Sequence, residues 1–314
     1  MLAVDAWLNC CDADLPFRKN RWKLYGKCDI VGLLAKTNTD DIGHVGMTAL
    51  EPELLAAELT GVMRRKLQMA RKDSENQKKS MSRMFRGKEI FKPLNTGWID
   101  DRVACVREWV ANIFFYTKNG TTIMIDAGYN YERLGEKMKW LDIDPASIKH
   151  ILITHQDTDH VGALERDSEL LFKDATIYLS EIENRYLTGE VRRRVIHGLY
   201  KLPPVKTDNK KILLQDGQIL KIDGIKIECI LVPGHTWGHM VYLIDDEYLF
   251  TGDTLWFGAD GGYSFISTLA EDNKLSVRSL ETLENNLKKR PQAIKIITGH
   301  TGWTDDLEFA FRHR

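Results

Sequence analysis

Short apolar runs rich in isoleucine, leucine and valine alternate with polar, glycine-containing loops from about residue 100 to about residue 305. The four clearest runs cover residues 148–153, 225–232, 241–250 and 294–297. Runs of this length and composition predict buried strands, and loops at strand ends are where mixed folds usually place chemistry. We therefore expect the loops that follow these four strands to meet at one edge of the fold.

Turn signals and helical patterns predict the remaining elements. Residues 103–126 predict a strand, a turn at Asn119-Gly120 and a second strand, which together form a hairpin. A helix is expected from Tyr131 to Trp140. Further predicted elements are a strand over 175–179, a helix over 180–187, and turns at Asp216-Gly217 and Asp223-Gly224 that open strands over 218–222 and 225–232.

Residues 1–95 carry a different pattern and are predicted to form a mainly helical extension, separate from a domain over residues 96–314. Pro52, between two glutamates, opens a good helix that carries one apolar stripe, and basic residues dominate over 64–92. The favoured interpretation is a helix packed on the enzyme or on the second subunit of a homodimer, with a solvated basic face. A basic arm that engages nucleic acid is the less favoured alternative.

Residues 154–160, directly after the first strand, read Thr-His-Gln-Asp-Thr-Asp-His. His155, Asp157, Asp159 and His160 thus place four side chains of metal-binding type within six positions. Imidazole and carboxylate are ligands of catalytic zinc, iron and manganese. Because these groups would carry a large desolvation cost if they were buried together without a metal, their density predicts a metal site.

Three further candidate ligands follow the other three strands. His235 stands in a Pro-Gly-His-Thr turn, Asp253 in a Gly-Asp-Thr segment and His300 in a later Gly-His segment. Seven side chains are enough to hold two metal ions. Two cations about 3.5–4 Å apart can lower the pKa of a water between them to near neutrality and take up charge on a substrate oxygen.

The ordered set of motifs resembles the metallo-β-lactamase-fold hydrolases, whose signature is His-x-His-x-Asp-His, then a Pro-Gly-His-Thr turn, a Gly-Asp-Thr strand end and a late Gly-His. The resemblance covers about residues 100 to 305. It implies an α+β fold, a four-layer αββα sandwich with the ligands at one edge of two packed sheets. Glyoxalase II and the lactonases are the members that it most resembles.

The resemblance also implies which residues hold the metals. The first metal is assigned to His155, Asp157 and His235, the second to Asp159, His160 and His300, and Asp253 bridges the two. In such an enzyme a metal-bridged hydroxide attacks the substrate, and Asp159 is expected to orient the hydroxide or carry its proton. Asp159 and Asp253 are therefore the catalytic candidates, and two divalent ions, zinc above all, are the expected cofactors.

Asp157 departs from the family signature, which has a histidine at this position. A carboxylate adds negative charge and hardness, which shifts the preference towards iron or manganese without excluding zinc. Similar His-x-Asp-x-Asp-His or His-x-Glu-x-Asp variants occur in choline-phosphoesterase-like, DNA-uptake nuclease-like and diiron branches of the family. The variant therefore does not imply an inactive site.

Other residues near the motifs are given supporting roles. Asp126 is expected to shape the floor of the site through hydrogen bonds, and His239 to hydrogen-bond behind the ligands. The arginines at 192–194 could serve an anionic substrate, but on a helix at most two of them could face the pocket. Four aromatic side chains either line an apolar wall for an acyl or lactone chain or pack within the fold: Trp237, Trp256, Tyr263 and Trp303.

Composition narrows the function classes. The net charge of −1 over 314 residues gives no bulk electrostatic argument for nucleic acid. Five cysteines without a paired motif indicate a reducing cytoplasm. Because neither a signal peptide nor a membrane span is expected, a secreted β-lactamase is disfavoured.

Three functions stay open at this level. The favoured one is hydrolysis of a carboxylic ester, thioester or lactone, which is a small-molecule substrate. A phosphodiesterase or nuclease of the same fold is the alternative that Asp157 and the basic segment support. A diiron redox or metal-binding module is the least favoured, because no flavodoxin-like segment follows the site.

Overall fold

The structure, a computed structural model, describes residues 91–165, 171–195, 198–258, 263–264 and 269–312. Residues 1–90 lie outside the described residues, and with them most of the expected helical extension, its basic segment and the expected dimer contact. The division into domains at residue 95 therefore stays a prediction. None of the helices in the described part of the chain combines the length and the apolar character that a membrane crossing requires.

Within these ranges the chain forms seventeen short strands. The first nine are β1 (Gly97–Trp98), β2 (Val103–Glu108), β3 (Ala111–Lys118), β4 (Thr121–Ile125), β5 (His150–Leu152), β6 (Thr176–Ser180), β7 (Arg194–Val195), β8 (Tyr200–Lys201) and β9 (Lys211–Leu214). The others are β10 (Gln218–Ile222), β11 (Ile225–Leu231), β12 (Met240–Ile244), β13 (Tyr248–Phe250), β14 (Trp256–Phe257), β15 (Tyr263–Ser264), β16 (Lys295–Ile297) and β17 (Trp303–Thr304).

Two sheets contain most of these strands. The first sheet has the order β1-β2-β3-β4-β5-β6-β9, and the second has the order β10-β11-β12-β13-β16-β17. In the first sheet β4, β5, β6 and β9 run parallel, and in the second sheet β13 and β16 do. Because parallel neighbours need crossover connections, the segments between them leave the sheet and carry the helices.

The described helices are α1 (Tyr131–Trp140), α2 (Thr158–Val161), α3 (Glu181–Thr188), α4 (Asn273–Leu287) and α5 (Leu307–Phe311). The side chain of the preceding residue caps four of them, and at α5 this residue is Asp306. Asn130 accepts a hydrogen bond from Arg133 N at the start of α1, and Ser180 and Asp272 do the same for α3 and α4. Such caps satisfy backbone N–H groups that have no partner within the helix, which is why these helices begin where they do.

Three apolar clusters separate the four layers. One packs α1 and α3 against the first sheet, for example through Leu134 and Leu187. The second lies between the sheets, and the third packs α4 and α5 against the second sheet, for example through Leu283. Along β2, Val103 faces the cluster between the sheets and Ala104 faces the helices, as the two-residue period of a strand requires. The four-layer αββα sandwich that the resemblance implied is therefore the fold of the described residues.

The sequence predicted some element boundaries wrongly. Residues 103–118, predicted as one strand, form β2 and β3, joined by a tight turn at Trp109, whose φ is 56°. Residues 241–250 likewise form β12 and β13, because Asp245 and Asp246 take positive φ values between them. A positive φ is unusual outside glycine, so turns built on these residues leave only a weak signal in the sequence.

Candidate metal centre

The loops that follow β5, β11, β13 and β16 meet at one edge of the sandwich, as expected from the sequence. They bring all seven candidate ligands together: His155, Asp157, Asp159, His160, His235, Asp253 and His300. All but Asp159 are buried, and Asp159 is half-buried. The structure thus gathers these side chains at one place, and their role as metal ligands is taken up under the proposed function.

The first group consists of His155, Asp157 and His235. Asp157 Oδ2 lies 3.7 Å from His155 Nε2 and 3.3 Å from His235 Nε2. Asp157 is the residue before α2, yet its side chain makes no capping hydrogen bond. A carboxylate in that position normally caps the helix, so its orientation towards the two imidazoles indicates a role in the site and not in the start of α2.

The second group consists of Asp159, His160 and His300. Asp159 Oδ2 lies 3.7 Å from His160 Nε2 and 3.3 Å from His300 Nε2, and the two imidazole nitrogens are 3.4 Å apart. Asp159 and His160 come from α2, whereas His300 comes from the loop after β16. The second group therefore joins the two sheets.

Asp253 stands between the two groups and faces both. Its Oδ1 lies 3.1 Å from His160 Nε2 and 3.0 Å from His300 Nε2. Its Oδ2 lies 3.7 Å from His235 Nε2 and 3.9 Å from His155 Nε2. Oδ2 also lies 3.0 Å from His300 Nε2. Asp253 is therefore within reach of both groups and closest to the second.

These distances fit metal ions. Ligand atoms about 2.0–2.1 Å from a tetrahedral zinc ion are separated by roughly 3.3 Å, close to the spacings in both groups. His155 Nε2 is buried and has no hydrogen-bond partner within the described residues. Because a buried polar atom without a partner is costly, a metal at this nitrogen would satisfy it.

The charges of the site also call for cations. Burial by itself lowers the pKa of His300, but the carboxylates of Asp253 and Asp159 raise it to about 9. His160 has its pKa raised well above the ordinary value by Asp253, Asp126 and Asp159, against the effect of burial. The excess of carboxylates thus demands positive charge between the groups, which divalent ions would supply.

Hydrogen bonds behind the histidines fix their orientation. Asp126 Oδ2 lies 2.8 Å from His160 Nδ1, and Val110 O lies 2.7 Å from His300 Nδ1. Because a carboxylate and a carbonyl only accept, each of these Nδ1 atoms carries a proton, and Nε2 is the nitrogen that faces Asp253 and would bind a metal. Asp126 also accepts from Thr154 N at 2.8 Å, so it holds the start of the 154–160 loop.

His239 contributes behind the ligands. Its Nε2 accepts a hydrogen bond from Asp253 N at 3.2 Å, and its ring stacks on His155 with centroids 4.8 Å apart. Burial lowers the pKa of His239 well below its ordinary value, so the ring is neutral and able to accept. These contacts agree with the supporting role expected for His239.

Sequence reasoning missed Glu183, a fully buried carboxylate at the start of α3. Glu183 Oε2 accepts from Gln156 N at 2.8 Å, and Oε1 accepts from the Thr236 hydroxyl at 2.5 Å. Gln156 and Thr236 are the neighbours of His155, Asp157 and His235 in the chain. Glu183 therefore connects the loop after β5 with the loop after β11. Burial raises the pKa of Glu183 to about 8.

Arg193 is the member of the arginine triple that reaches the site. It is 1% exposed, whereas Arg192 and Arg194 are exposed. The triple is not on a helix as predicted, because Arg192 and Arg193 lie in a loop and Arg194 begins β7. The expectation that only part of the triple turns inwards nevertheless matches the placement of Arg193.

The four aromatic candidates differ in their surroundings. Trp256 packs on His300, with ring centroids 4.5 Å apart, and donates to Asp253 O at 3.1 Å. Trp303 packs beside the inter-sheet core and under the ammonium group of Lys295. Trp237 is 44% exposed next to His235, which leaves its ring able to meet a substrate. The backbone of Tyr263 lies in β15, and its side chain is outside the described atoms.

Sequence reasoning also missed an aromatic pair beside the second group. The rings of Trp109 and Tyr129 meet edge to face with centroids 4.8 Å apart, and both residues are half-buried. Burial raises the pKa of Tyr129, and the carboxylate of Asp159 adds to the effect, so the phenol stays protonated near this carboxylate. The positive φ of Trp109, which places the ring there, could not be inferred from the sequence.

Comparison with known protein families identifies the class that this fold and site define. The family model described as the metallo-beta-lactamase superfamily matches residues 106–300, which include all seven candidate ligands. The match covers more than half of the chain, and the chain belongs to this superfamily.

Among individual relatives, hydroxyacylglutathione hydrolase GloC of Haemophilus influenzae is 30% identical over 183 residues, 58% of this chain and 80% of that protein. A protein of Bacillus velezensis named "Probable polyketide biosynthesis zinc-dependent hydrolase BaeB" is 29% identical over 181 residues, 58% of this chain and 68% of that protein. A solved B3 metallo-beta-lactamase with an active-site glutamic acid aligns with a TM-score of 0.50 and 20% identity, over 71% of this chain and 87% of its own. This structural likeness concerns the fold alone.

Proposed function

We propose that this chain is a metal-dependent hydrolase that cleaves an acyl bond, with thioesters as the first substrate class to test and esters and lactones next. Family membership and the functions named for its relatives support a metal-dependent hydrolase. The observation that carries the proposal is the pair of ligand groups that share Asp253. The relative named a hydroxyacylglutathione hydrolase supports the choice of thioesters, since its substrate joins an acyl group to glutathione.

Each group would hold one divalent ion. The first ion would be held by His155, Asp157 and His235. The second ion would be held by Asp159, His160 and His300, and Asp253 would contact both ions. Zinc is the first choice, with iron or manganese as alternatives because Asp157 replaces an imidazole by a harder carboxylate. Bound ions of this kind supply Lewis acidity that activates water and polarises the carbonyl or phosphoryl oxygen of a substrate.

The side chains of the protein would perform the remaining steps. Asp159 directs Oδ2 at the second group, which leaves Oδ1 to orient the attacking water and to accept its proton. The exposed ring of Trp237 on one side and the Trp109–Tyr129 pair on the other would contact the apolar part of the acyl chain. The Tyr129 hydroxyl, which stays protonated, could donate a hydrogen bond to a substrate oxygen.

The test combines metal content with substrate choice. Protein purified without added metal is analysed by plasma mass spectrometry and assayed with a thioester, a lactone and bis-p-nitrophenyl phosphate. We expect about two divalent ions per chain and fastest turnover of the thioester. His235→Ala should abolish turnover, whereas His150→Ala should retain it, because His150 contacts Tyr178 outside the site. Fastest cleavage of the phosphodiester would instead indicate a phosphodiesterase, and no turnover of any substrate after reconstitution would reject the hydrolase.

A further inference from the structure

A buried guanidinium lies against the first ligand group. Arg193 donates from Nε to Asp157 Oδ1 at 2.8 Å and from Nη2 to Asp157 Oδ2 at 3.0 Å. The same Nη2 lies 3.4 Å from His235 Nε2. Two of the three atoms that would bind the first metal are therefore already close to a cationic N–H group. A bidentate pair of this kind is among the strongest that a carboxylate forms.

Arg193 is not free to bind a substrate. Its Nη2 also donates to Leu269 O at 2.7 Å, and its Nη1 donates to Arg194 O at 3.3 Å. With these bonds and the pair with Asp157, each of its three nitrogens has an acceptor, and the side chain is buried. Its charge is therefore a permanent part of the first position and does not depend on a ligand.

The two positions consequently differ in charge. At the first position Arg193 pairs with Asp157 through two hydrogen bonds and offsets its charge, while Glu271 Oε1 lies 3.8 Å from Arg193 Nη1, the nitrogen that does not bond to Asp157. At the second position Asp159 faces His160 and His300, and a further carboxylate, Asp126, stands behind His160. Asp253 faces both positions but lies closer to the second, with contacts of 3.0 and 3.1 Å there against 3.7 and 3.9 Å at the first, and this adds to the difference.

We infer that Arg193 makes the first position the weaker of the two metal sites, so that metal fills the second position first. This inference rests on the proposed metal ligands. A positive charge a few ångströms from a divalent ion opposes its binding, because charges at this distance are only partly screened inside a protein. Arg193 also competes for the lone pairs of Asp157 and His235 that the ion needs. The protein would therefore carry one ion at low metal concentration and two at high concentration.

The test measures metal binding directly. Metal-stripped protein is titrated with zinc in competition with a chromophoric chelator, and with cobalt to follow the visible spectrum of each site. We expect two binding steps at least about tenfold apart in affinity, and Arg193→Met should tighten the weaker step at least about tenfold. Arg192→Met is the matched control, because Arg192 is the exposed neighbour and should leave both steps unchanged.

Two further variants assign the steps without altering Arg193. His235→Ala should remove the weaker step and His300→Ala the tighter one, so the inference can be tested even if Arg193→Met fails to fold by circular dichroism. Equal affinities in the unaltered protein, loss of the tighter step in His235→Ala, or an unchanged or weaker second step in folded Arg193→Met would each overturn the inference. Absence of any zinc binding would instead reject the proposed function.

Discussion

The two sheets support the candidate site in different ways. Four candidate ligands follow the first sheet within one segment, residues 154–160, which consists of a short loop and the start of α2. Two buried carboxylates, Asp126 and Glu183, accept hydrogen bonds from the backbone of this segment. The second sheet is followed by three loops that each supply one candidate ligand, and glycines in these loops pack closely against neighbouring atoms, in addition to the hydrogen bond from Thr236 to Glu183. Gly234 approaches Ser276, and Gly299 approaches Asp253 closely enough that a Cβ would lie 2.9 Å from its Oδ1.

The two sheets therefore fix the positions of their candidate ligands by different means. A side-chain hydrogen bond can relax when its partner moves, so the first-sheet loop depends on polar groups that tolerate adjustment. A glycine packed against backbone leaves no such freedom, because an added Cβ must displace main chain. We therefore expect substitutions in the second-sheet loops to affect the fold, and substitutions behind the first-sheet loop to affect metal affinity.

The largest effect is expected at Asp253, which comes from the second sheet yet faces both groups. Asp253→Asn removes the charge that both metals would share, and we expect kcat/KM to fall about a thousandfold or more. The measurement is steady-state turnover of the best substrate at saturating metal, with circular dichroism to establish folding. A folded variant that keeps more than a tenth of the activity would contradict a shared role for Asp253.

The second prediction tests the glycine contacts directly. Gly234 has φ 144° and its added Cβ would overlap the backbone of Ser276, so Gly234→Ala should lower the free energy of unfolding by about 3 kcal/mol or more. Gly120 is the matched control, because it has φ 79° with open space around it. Gly120→Ala should cost only about 1–2 kcal/mol, which is the backbone penalty alone. Equal losses in urea denaturation would show that the packing against Ser276 contributes nothing.

The third prediction concerns the polar support of the first-sheet loop. Asp126→Asn keeps the shape of the side chain but removes the charge that orients His160. We expect metal affinity to fall about 10–100-fold, as is usual for partners behind metal-binding histidines, with little change in unfolding free energy. Chelator competition measures the affinity, and urea denaturation of the metal-free protein measures the stability. An unchanged affinity would remove Asp126 from the metal centre.

The smallest effect is expected at Glu183 and depends on pH. Its pKa of about 8 in the fold exceeds the ordinary 4.5 because the carboxyl is buried. Between these values the folded chain holds a proton that the unfolded chain lacks, so the stability due to this group falls as pH rises towards 8. Glu183→Gln stays neutral, and its stability relative to the unaltered protein should rise by about 1 kcal/mol between about pH 7 and about pH 9. A difference independent of pH would mean that Glu183 is already ionised in the fold.

Much of the candidate site could be predicted because its residues stand in short sequence motifs that directly follow predicted strands. His155 to His160 lie within six positions, and each remaining candidate ligand follows an apolar run closely, so strand prediction and residue type were sufficient to predict that these side chains meet. Trp237 and Trp303 both stand close to candidate ligands in the sequence, but this does not predict where their rings lie. The ring of Trp237 is exposed, whereas the ring of Trp303 packs under Lys295. Side-chain direction depends on tertiary packing, which the sequence does not display.

The contacts of two supporting residues, Arg193 and Glu183, could not be predicted for the same reason. Arg193 meets Asp157 across 36 positions, and Glu183 meets Thr236 across 53 positions. Neither residue stands in a motif, and a charged residue is usually exposed, so burial is not the expected outcome. Helix α4, which covers the second sheet, was also not predicted, although Asp272 caps it and a leucine stripe follows.

The parallel pair β13 and β16 has a consequence for how such an enzyme can change. Phe250 pairs with Ile297, and Thr251 N donates to Ile297 O at 2.9 Å, so the loops that carry Asp253 and His300 are fixed to each other by the sheet itself. The long stretch of chain between these two strands does not set their spacing. Outside Asp253, Leu269 and α4, sequence in this stretch could therefore be exchanged or lengthened, and a new specificity could be acquired while the spacing of the two loops is inherited unchanged.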